Sequence, residues 1–495
     1  MKKHTALHQH SRHAYSVNTL LLACVFLLIL TLAFFRAGAQ VKTDVKPVDK
    51  ALTEEIARQL NSGSLSLKFP ASVRRLYAQR QFVPNWIVDQ NHADNTWAAM
   101  LMMDCVLQYG LNRADYHPGE LLYSTLHEIL EQPGNVGLTE KARFEIVLTD
   151  AVLTFINYLH FGKYNPQYPA GKIDKGVEVF DAASLLQLAL TSKDFMLAIT
   201  TAQPQNKLYQ GLQNQMHIVA GVQLGDCYEF PKEDVRKMAL NMERLRWAAT
   251  DTDNYVQVNI PSYQLSFYHG SKTDTFRVVV GKPGNPTPTL QSAIKYFTTS
   301  PEWRVPQKIF VKELLPKAIK DTAYLTNNHY SIYNDAGVLI SANTLYLKAI
   351  LKSPGRYRAT QSAGCDNALG QLVFRFPNIY DVYLHDTPEP ALFYRKARAL
   401  SHGCVRVQNP KRLAALMLTN DNNSSQIKDM ENAIEKGITK NFYLKKPVPV
   451  YITYLTCEMK DGVLVKYDDI YNLDKALDGL MYAPDDATLN VANNH

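Results

Sequence analysis

Cysteine is scarce in this chain and poorly placed for cross-linking. Six occur in 495 residues. Cys24 falls in an N-terminal apolar stretch, which leaves Cys105, Cys227, Cys365, Cys404 and Cys457, an odd and scattered set. That excludes a disulfide framework for so large a chain. No C-x-x-C occurs, so the usual signature of a structural zinc site is missing. Charge of one sign is lacking too: the formal net charge is +7, with no basic cluster interleaved with aromatics, so nucleic acid is a poor partner. A mildly basic surface suits an anionic polymer without requiring one. After the N-terminus no further apolar run of spanning length is evident, and no further membrane spans are expected.

What is present is the composition of a large globular chain. It is 46% hydrophobic and 20% charged, enough for two or three domains with cores of their own. The first 39 residues read as a targeting segment. Lys2, Lys3 and Arg12 precede an apolar run from Val17 to Phe35, and Ala37-Gly38-Ala39 fits an A-x-A cleavage site. The run of 19 residues could also span a bilayer as an uncleaved anchor. Either way the basic flank is expected to stay inside and the remainder to be exported. LLAC ending at Cys24 has the look of a lipoprotein box, but the apolar run continues past it.

From about residue 41 to 200 the periodicity is helical. Phe144, Val147, Leu148, Ala151, Val152, Phe155 and Leu159 predict one wide apolar face, with Thr139 as N-cap and Gly162 as stop. Lys232 to Trp247 predicts another helix. The period then changes to two: Val256, Val258 and Ile260, then Leu265 and Phe267, then Phe276, Val278 and Val280. From Pro306 to Ala363 the pattern turns helical and polar, an excursion between strands that reads as a lid. Strand character returns at Phe374, Phe376, Val382 and Leu384. Asn409-Pro410 opens a helix, a late strand covers 447–455, and the tail from Asp474 is expected to fray.

The chemistry concentrates between Tyr383 and Pro410, where YLHDTP leads to SHGCVR. Cys404 follows His402 and Gly403; His385 stands 19 positions upstream at the end of an alternating run. A thiol is mostly protonated near neutrality and needs a base or positive field to act as nucleophile. Two histidines and Arg406 supply candidates, and Gly403 permits a tight turn whose N–H groups could face an oxyanion. Two other readings fit the same residues. Cys404 could be a buried small hydrophobe. His385, His402, Cys404 and Cys365 could ligate zinc, although their spacing is unlike that of a structural site. Cys365, if close to Cys404, could pair with it on oxidation.

SHGCVR preceded by HDTP resembles the active-site signature of the L,D-transpeptidases, cysteine enzymes of the bacterial cell wall. LYAQRQFVPNWI, YGLNRADYHPGEL and LTDAVLTFINYLHFGKYNP resemble the scaffold domain of the large periplasmic Gram-negative members, and VNIPSYQLSFY, VVVGKPGNPTPT and YFTTSPEWRVP their catalytic domain. The resemblance implies an α+β multidomain fold: an all-α scaffold over 40–205, a linker and helix over 206–248, a β-rich catalytic domain of the YkuD type over 249–457 with a lid at about 306–363, and a tail over 458–495. The 35 residues from Thr200 to Asp234 are too few for the wall-binding domain that larger members carry near this point.

It further implies Cys404 as nucleophile and His385 as base, with Asp386 or its main chain orienting the imidazole. Oxyanion donors fall at the backbone of His402, Gly403 and Cys404. Arg406 could hold a substrate carboxylate or stand at the surface; Ser401 could cap the turn or touch substrate; Trp303 could wall the cleft or fill the core. The expected reaction cross-links peptidoglycan stem peptides 3→3 through a thioester, with no cofactor or metal and with carbapenems acylating the thiol. Partners in wall synthesis are unspecified. The same site could use water as acceptor, attach a protein to the wall, or be inactive in a wall-binding scaffold.

Overall fold

The computed structural model describes residues 49–87, 93–177, 179–221, 232–248, 252–341 and 343–482. The targeting segment, Cys24, Cys227 and residues 483–495 lie outside the described residues.

Helix Leu138–Phe161 forms the axis of the N-terminal domain, with helices Lys50–Ser62, Pro70–Gln79, Asp94–Asp104 and Ala182–Leu190 sharing its core. The predicted apolar face understates its burial: every residue from Phe144 to Leu159 is buried, because helices pack around it on all sides. Its start differs as well. Gly137 precedes the first helical residue, Leu138, so Thr139 lies within the first turn, and its carbonyl accepts a bond from Gln59 Nε2 (2.8 Å). Gly162 ends the helix with φ +80, as expected. By length and composition this helix could cross a membrane, which the sequence reading did not anticipate, but 94% of its apolar window is buried in protein.

The 206–248 stretch contains helices Lys207–Gly221 and Lys232–Trp247. Tyr209, Leu212, Met216, Met238, Met242 and Leu245 form a small core with Leu455 and Cys457. This core joins the scaffold's end to the catalytic domain through apolar contact rather than a free tether.

The catalytic domain is built on β1 (Asn254–Asn259), β2 (Gln264–His269), β3 (Lys272–Gly281), β4 (Leu290–Thr299), β5 (Trp303–Arg304), β6 (Tyr330–Asn334), β7 (Tyr357–Gln361), β8 (Leu372–Arg375), β9 (Leu384–His385), β10 (Ala399–Ser401), β11 (Val405–Val407) and β12 (Lys440–Thr453). Nine strands run in the order β10-β3-β11-β9-β8-β4-β12-β1-β2, and β2 also pairs with β3, which closes the sheet on itself. The alternation read from sequence is the inward face: Val256, Val258, Leu265, Phe267, Val278, Phe374 and Leu384 share one core with Val405 and Val407 of β11 and with Leu413 and Met417 of helix Pro410–Asn420. At roughly 25 cal/mol per Å² of apolar surface, this burial is the main force holding the site's scaffold rigid.

Between β4 and β8 the chain leaves the sheet and builds the lid. β5, β7 and β6 form a three-stranded sheet under short helices, with its own core of Phe310, Leu314, Leu315, Leu325, Ile332, Leu347 and Ile350. The lid is thus mixed rather than helical. The C-terminal stretch is also more ordered than expected. β13 (Cys457–Lys460) and β14 (Val463–Lys466) form a hairpin, followed by helix Leu473–Tyr482. Asp474 is not frayed: it accepts from Arg244 (2.5 Å), Lys237 (3.2 Å) and Thr456 (2.7 Å), tying the end of the chain to helix Lys232–Trp247.

Candidate active site

Register brings the two sequence-predicted catalytic residues together. β11 lies parallel to β9 with Val405 opposite Leu384 and Arg406 opposite His385, and the Val405 N–H donates to the Tyr383 carbonyl (3.1 Å). Val405 and Leu384 point into the core, so the alternate residues Cys404, Arg406, Tyr383 and His385 share the opposite face. A thiol, an imidazole, a phenol and a guanidinium therefore share one face because two adjacent strands alternate in phase.

The turn before β11 is shaped for the thiol. Gly403 has φ +123, a conformation that side-chain-bearing residues rarely adopt. Its N–H donates to Ser401 Oγ (3.2 Å), its carbonyl accepts from Thr287 Oγ1 (2.7 Å), and Ser401 Oγ donates to the Cys404 carbonyl (2.6 Å). Thr287 in turn accepts from the Gly281 N–H (2.8 Å); a Cβ on Gly281 would stand 2.2 Å from the Asn285 carbonyl oxygen, so only glycine lets these segments approach. Ser401 thus braces the loop from inside, with its side chain buried.

Cys404 keeps an opening to solvent while protein surrounds most of it; its Sγ lies 3.8 Å from the Asp381 carbonyl oxygen. Burial pushes the thiol up, against the pull of the Tyr383 main chain and hydroxyl and of Arg375. His385 is 5% exposed, and burial, with Arg406 second, pushes its imidazolium down to about 3. Both shifts favour the uncharged forms, so the resting pair is a thiol beside a neutral imidazole.

His385 Nδ1 is buried without a hydrogen-bond partner. The main chain of Asp386 lies near enough to favour the protonated ring, but no bond of normal geometry forms. The Asp386 carboxylate is engaged elsewhere, accepting the Gln371 N–H (2.9 Å), and burial raises it.

The remaining residues read from the sequence are distributed around this pair. Arg406 is taken up by Glu389 (2.7 Å) and Thr387 (3.3 Å). His402 is exposed and points to the lid, where Nε2 meets Glu313 Oε1 at 2.6 Å. Trp303 is half-buried, packs against Tyr330 of the lid and donates Nε1–H to the Tyr383 hydroxyl (3.2 Å). Cys365 is an exposed free thiol in the loop after β7, and Cys404 is also free.

Tyr383, Arg375 and Glu313 were not singled out from the sequence. Tyr383 stacks edge-on to His385 with ring centres 5.7 Å apart and carries the Arg375 guanidinium 5.2 Å from its own ring centre. Its two-residue spacing from His385 on an alternating strand was the available signal. Arg375 and Glu313 had none, since each reaches the site through tertiary pairing.

Comparison with known proteins agrees with this geometry. A family model described as the L,D-transpeptidase catalytic domain (YkuD) matches residues 253–450, and one described as a scaffold domain matches residues 71–216. A protein of Haemophilus influenzae carrying the name "Putative L,D-transpeptidase" is 30% identical over 440 residues, covering 86% of this chain and 84% of that protein.

Proposed function

Since the chain belongs to the L,D-transpeptidase family, we propose that it forms 3→3 cross-links between peptidoglycan stem peptides by acyl transfer through Cys404. The observation that carries this reading is the strand register that sets Cys404 and His385 on one face beside an open cleft.

Because thiol and imidazole both rest uncharged, proton transfer accompanies attack rather than preceding it. As Sγ bonds to the carbonyl carbon of the L-centre of diaminopimelate, its proton moves to His385. The N–H groups of His402 and Cys404 face the developing oxyanion; that of Gly403 is held by Ser401. The C–N bond then breaks, His385 returns the proton to the departing amine, and D-alanine leaves. A diaminopimelate side-chain amine of a second stem attacks the thioester, loses a proton to His385 and restores the thiol. The thioester conserves the bond energy, so the balance closes without an added energy source. Tyr383 donates its hydroxyl hydrogen toward sulfur and steadies it as negative charge develops. The lid, tied to the catalytic loop by His402–Glu313 and to the loop between β3 and β4 by Lys308–Asn285 (2.8 Å), limits water and favours the amine as acceptor.

The reaction is placed in the periplasm, the protein being exported by its N-terminal segment, cleaved near Ala39 or retained as an anchor. Carbapenems acylate the same thiol in this reading. The test is incubation of protein lacking residues 1–39 with disaccharide-tetrapeptide, followed by mass analysis. Cross-linked dimers with loss of one D-alanine, absent with Cys404→Ala, are expected. Tripeptide alone would make water the acceptor, and no product with an unreactive thiol would overturn the reading.

A further inference from the structure

Beside the thiol opens a cleft of about 830 Å³, lined among others by Trp303, Arg304, Arg375, Asn378, Asp381 and Tyr383. Two half-buried arginines flank the catalytic face, and they differ. Arg406 is tied to Glu389 and Thr387. Arg375, at the end of β8, has neither a hydrogen bond nor a carboxylate partner among the described residues; its guanidinium rests over the Tyr383 ring. A guanidinium held on an aromatic face is oriented at little entropic cost, and its planar fork of donors matches a carboxylate.

The strands fix which half of a substrate this arginine can meet. β8 runs antiparallel to β9 with Val373 opposite His385 and Phe374 opposite Leu384, so Arg375 falls level with Tyr383 and, across β9, with Cys404. His385 lies one pleat further along, roughly 6–7 Å. A leaving amine must take its proton from His385 and so departs at that end. The half of the donor that remains on sulfur then occupies the other end, toward Asp381, Tyr383 and Arg375.

We propose, building on the transpeptidase reading, that Arg375 is the specificity-determining anchor for a carboxylate retained in the acyl half of the donor stem. Two carboxylates qualify: the one on the D-centre of diaminopimelate and the α-carboxylate of the preceding D-glutamyl residue. Glu302 and Asp381, on the same cleft, complement the ammonium that diaminopimelate carries. The chemistry recognised is an anionic stem peptide, and amidation of the contacted carboxylate is the modification the site rejects.

The test measures D-alanine release from the free tetrapeptide and from two singly amidated versions, one at each candidate carboxylate, using wild type, R375K and R375A. Thermal melting checks the fold of each variant. Wild type should lose about 10- to 100-fold in kcat/KM on the amidated peptide whose carboxylate meets Arg375. R375A should lose the same factor on the free peptide and nothing further on that amide, with R375K recovering part. The amide that shows this pattern identifies the source. Equal loss on all three peptides, or no loss on any, overturns the proposal.

The same three peptides are titrated calorimetrically against Cys404→Ala, with and without R375A. Tighter binding of the free peptide that vanishes with R375A supports the anchor even where turnover is absent, in which case the transpeptidase reading alone falls. Equal affinity for all three overturns the anchor.

Discussion

Two buried carboxylates of the scaffold's axial helix and the polar groups of the catalytic face are used in opposite ways. Glu145, fully buried in the scaffold's axial helix, accepts the N–H groups of Asn85, Trp86 (3.0 Å) and Ile87 (2.9 Å) and the Tyr77 hydroxyl (2.8 Å). Asp150, one turn and a residue further on, accepts the N–H groups of Lys68 (2.8 Å) and Phe69 (2.9 Å) and meets His117 Nε2 at 2.7 Å. These carboxylates pin loops to a helix, and their lone pairs are used. On the catalytic face the Cys404 sulfur has a long contact to the Asp381 carbonyl and the Tyr383 hydroxyl beside it, His385 Nδ1 has no partner, and Arg375 lies on a ring instead of a carboxylate. Saturated groups hold a fold; under-partnered ones retain interaction capacity for a substrate.

The contrast can be broken from either side. The largest effect is expected at Cys404→Ala, which should abolish D-alanine release while leaving the melting temperature within about 2 °C, since the thiol supports almost nothing structurally. Glu145→Ala should do the reverse. It strands the N–H groups of Asn85, Trp86 and Ile87 and should cost about 3–5 kcal/mol in denaturant unfolding, with turnover per folded molecule unchanged. Normal stability for this variant would show that the loop 85–87 can be satisfied by water. Tyr383→Phe removes the hydroxyl shared by Trp303 and the thiol, and should lower kcat/KM about tenfold without moving KM by more than about twofold.

A smaller effect concerns pH. Protonation of His385 is disfavoured until pH approaches about 3, so kcat/KM should stay level from about pH 7 to 4, where an unperturbed histidine would already lose roughly tenfold by pH 5.5. Because the folded pKa is depressed, the unfolded chain takes up the proton first, and stability should decline as pH falls below about 6.5. A break in the rate profile near pH 6.5 would refute the neutral pair. The smallest change is expected from Glu313→Gln. Its partner His402 is exposed, so the lid tie should contribute under about 1 kcal/mol and appear as a modest rise in hydrolysis relative to cross-linking.

Much of this architecture was legible before coordinates. The two-residue alternation from Val256 to Val280 is the inward face of β1 to β3, and the position of His385 at a strand end followed from where alternation stops. The character of the lid was not legible, because β5 pairs with β7 across more than fifty residues and β6 with β7 across more than twenty, which leaves no local periodicity. The tail failed for a related reason: Asp474 reads as a solvated acid until Arg244 and Lys237 are brought to it from another helix. Arg375 and Glu313 acquire meaning only through register and lid closure, and no local pattern marks them. Helix Leu138–Phe161 misled in the opposite direction, since a face was expected and the whole circumference is buried.

Under the export proposed above, that helix carries a consequence for how the chain is made. A translocation channel reads hydropathy segment by segment, before any partner has packed, and a 24-residue apolar helix invites lateral release into lipid. Asp150 lies at its midpoint, where an ionisable residue is most costly to insert, roughly 2.5–3.5 kcal/mol, and Glu145 adds a second charge. In that reading the carboxylates that later secure the folded scaffold also act earlier, as a label that keeps the nascent segment moving through.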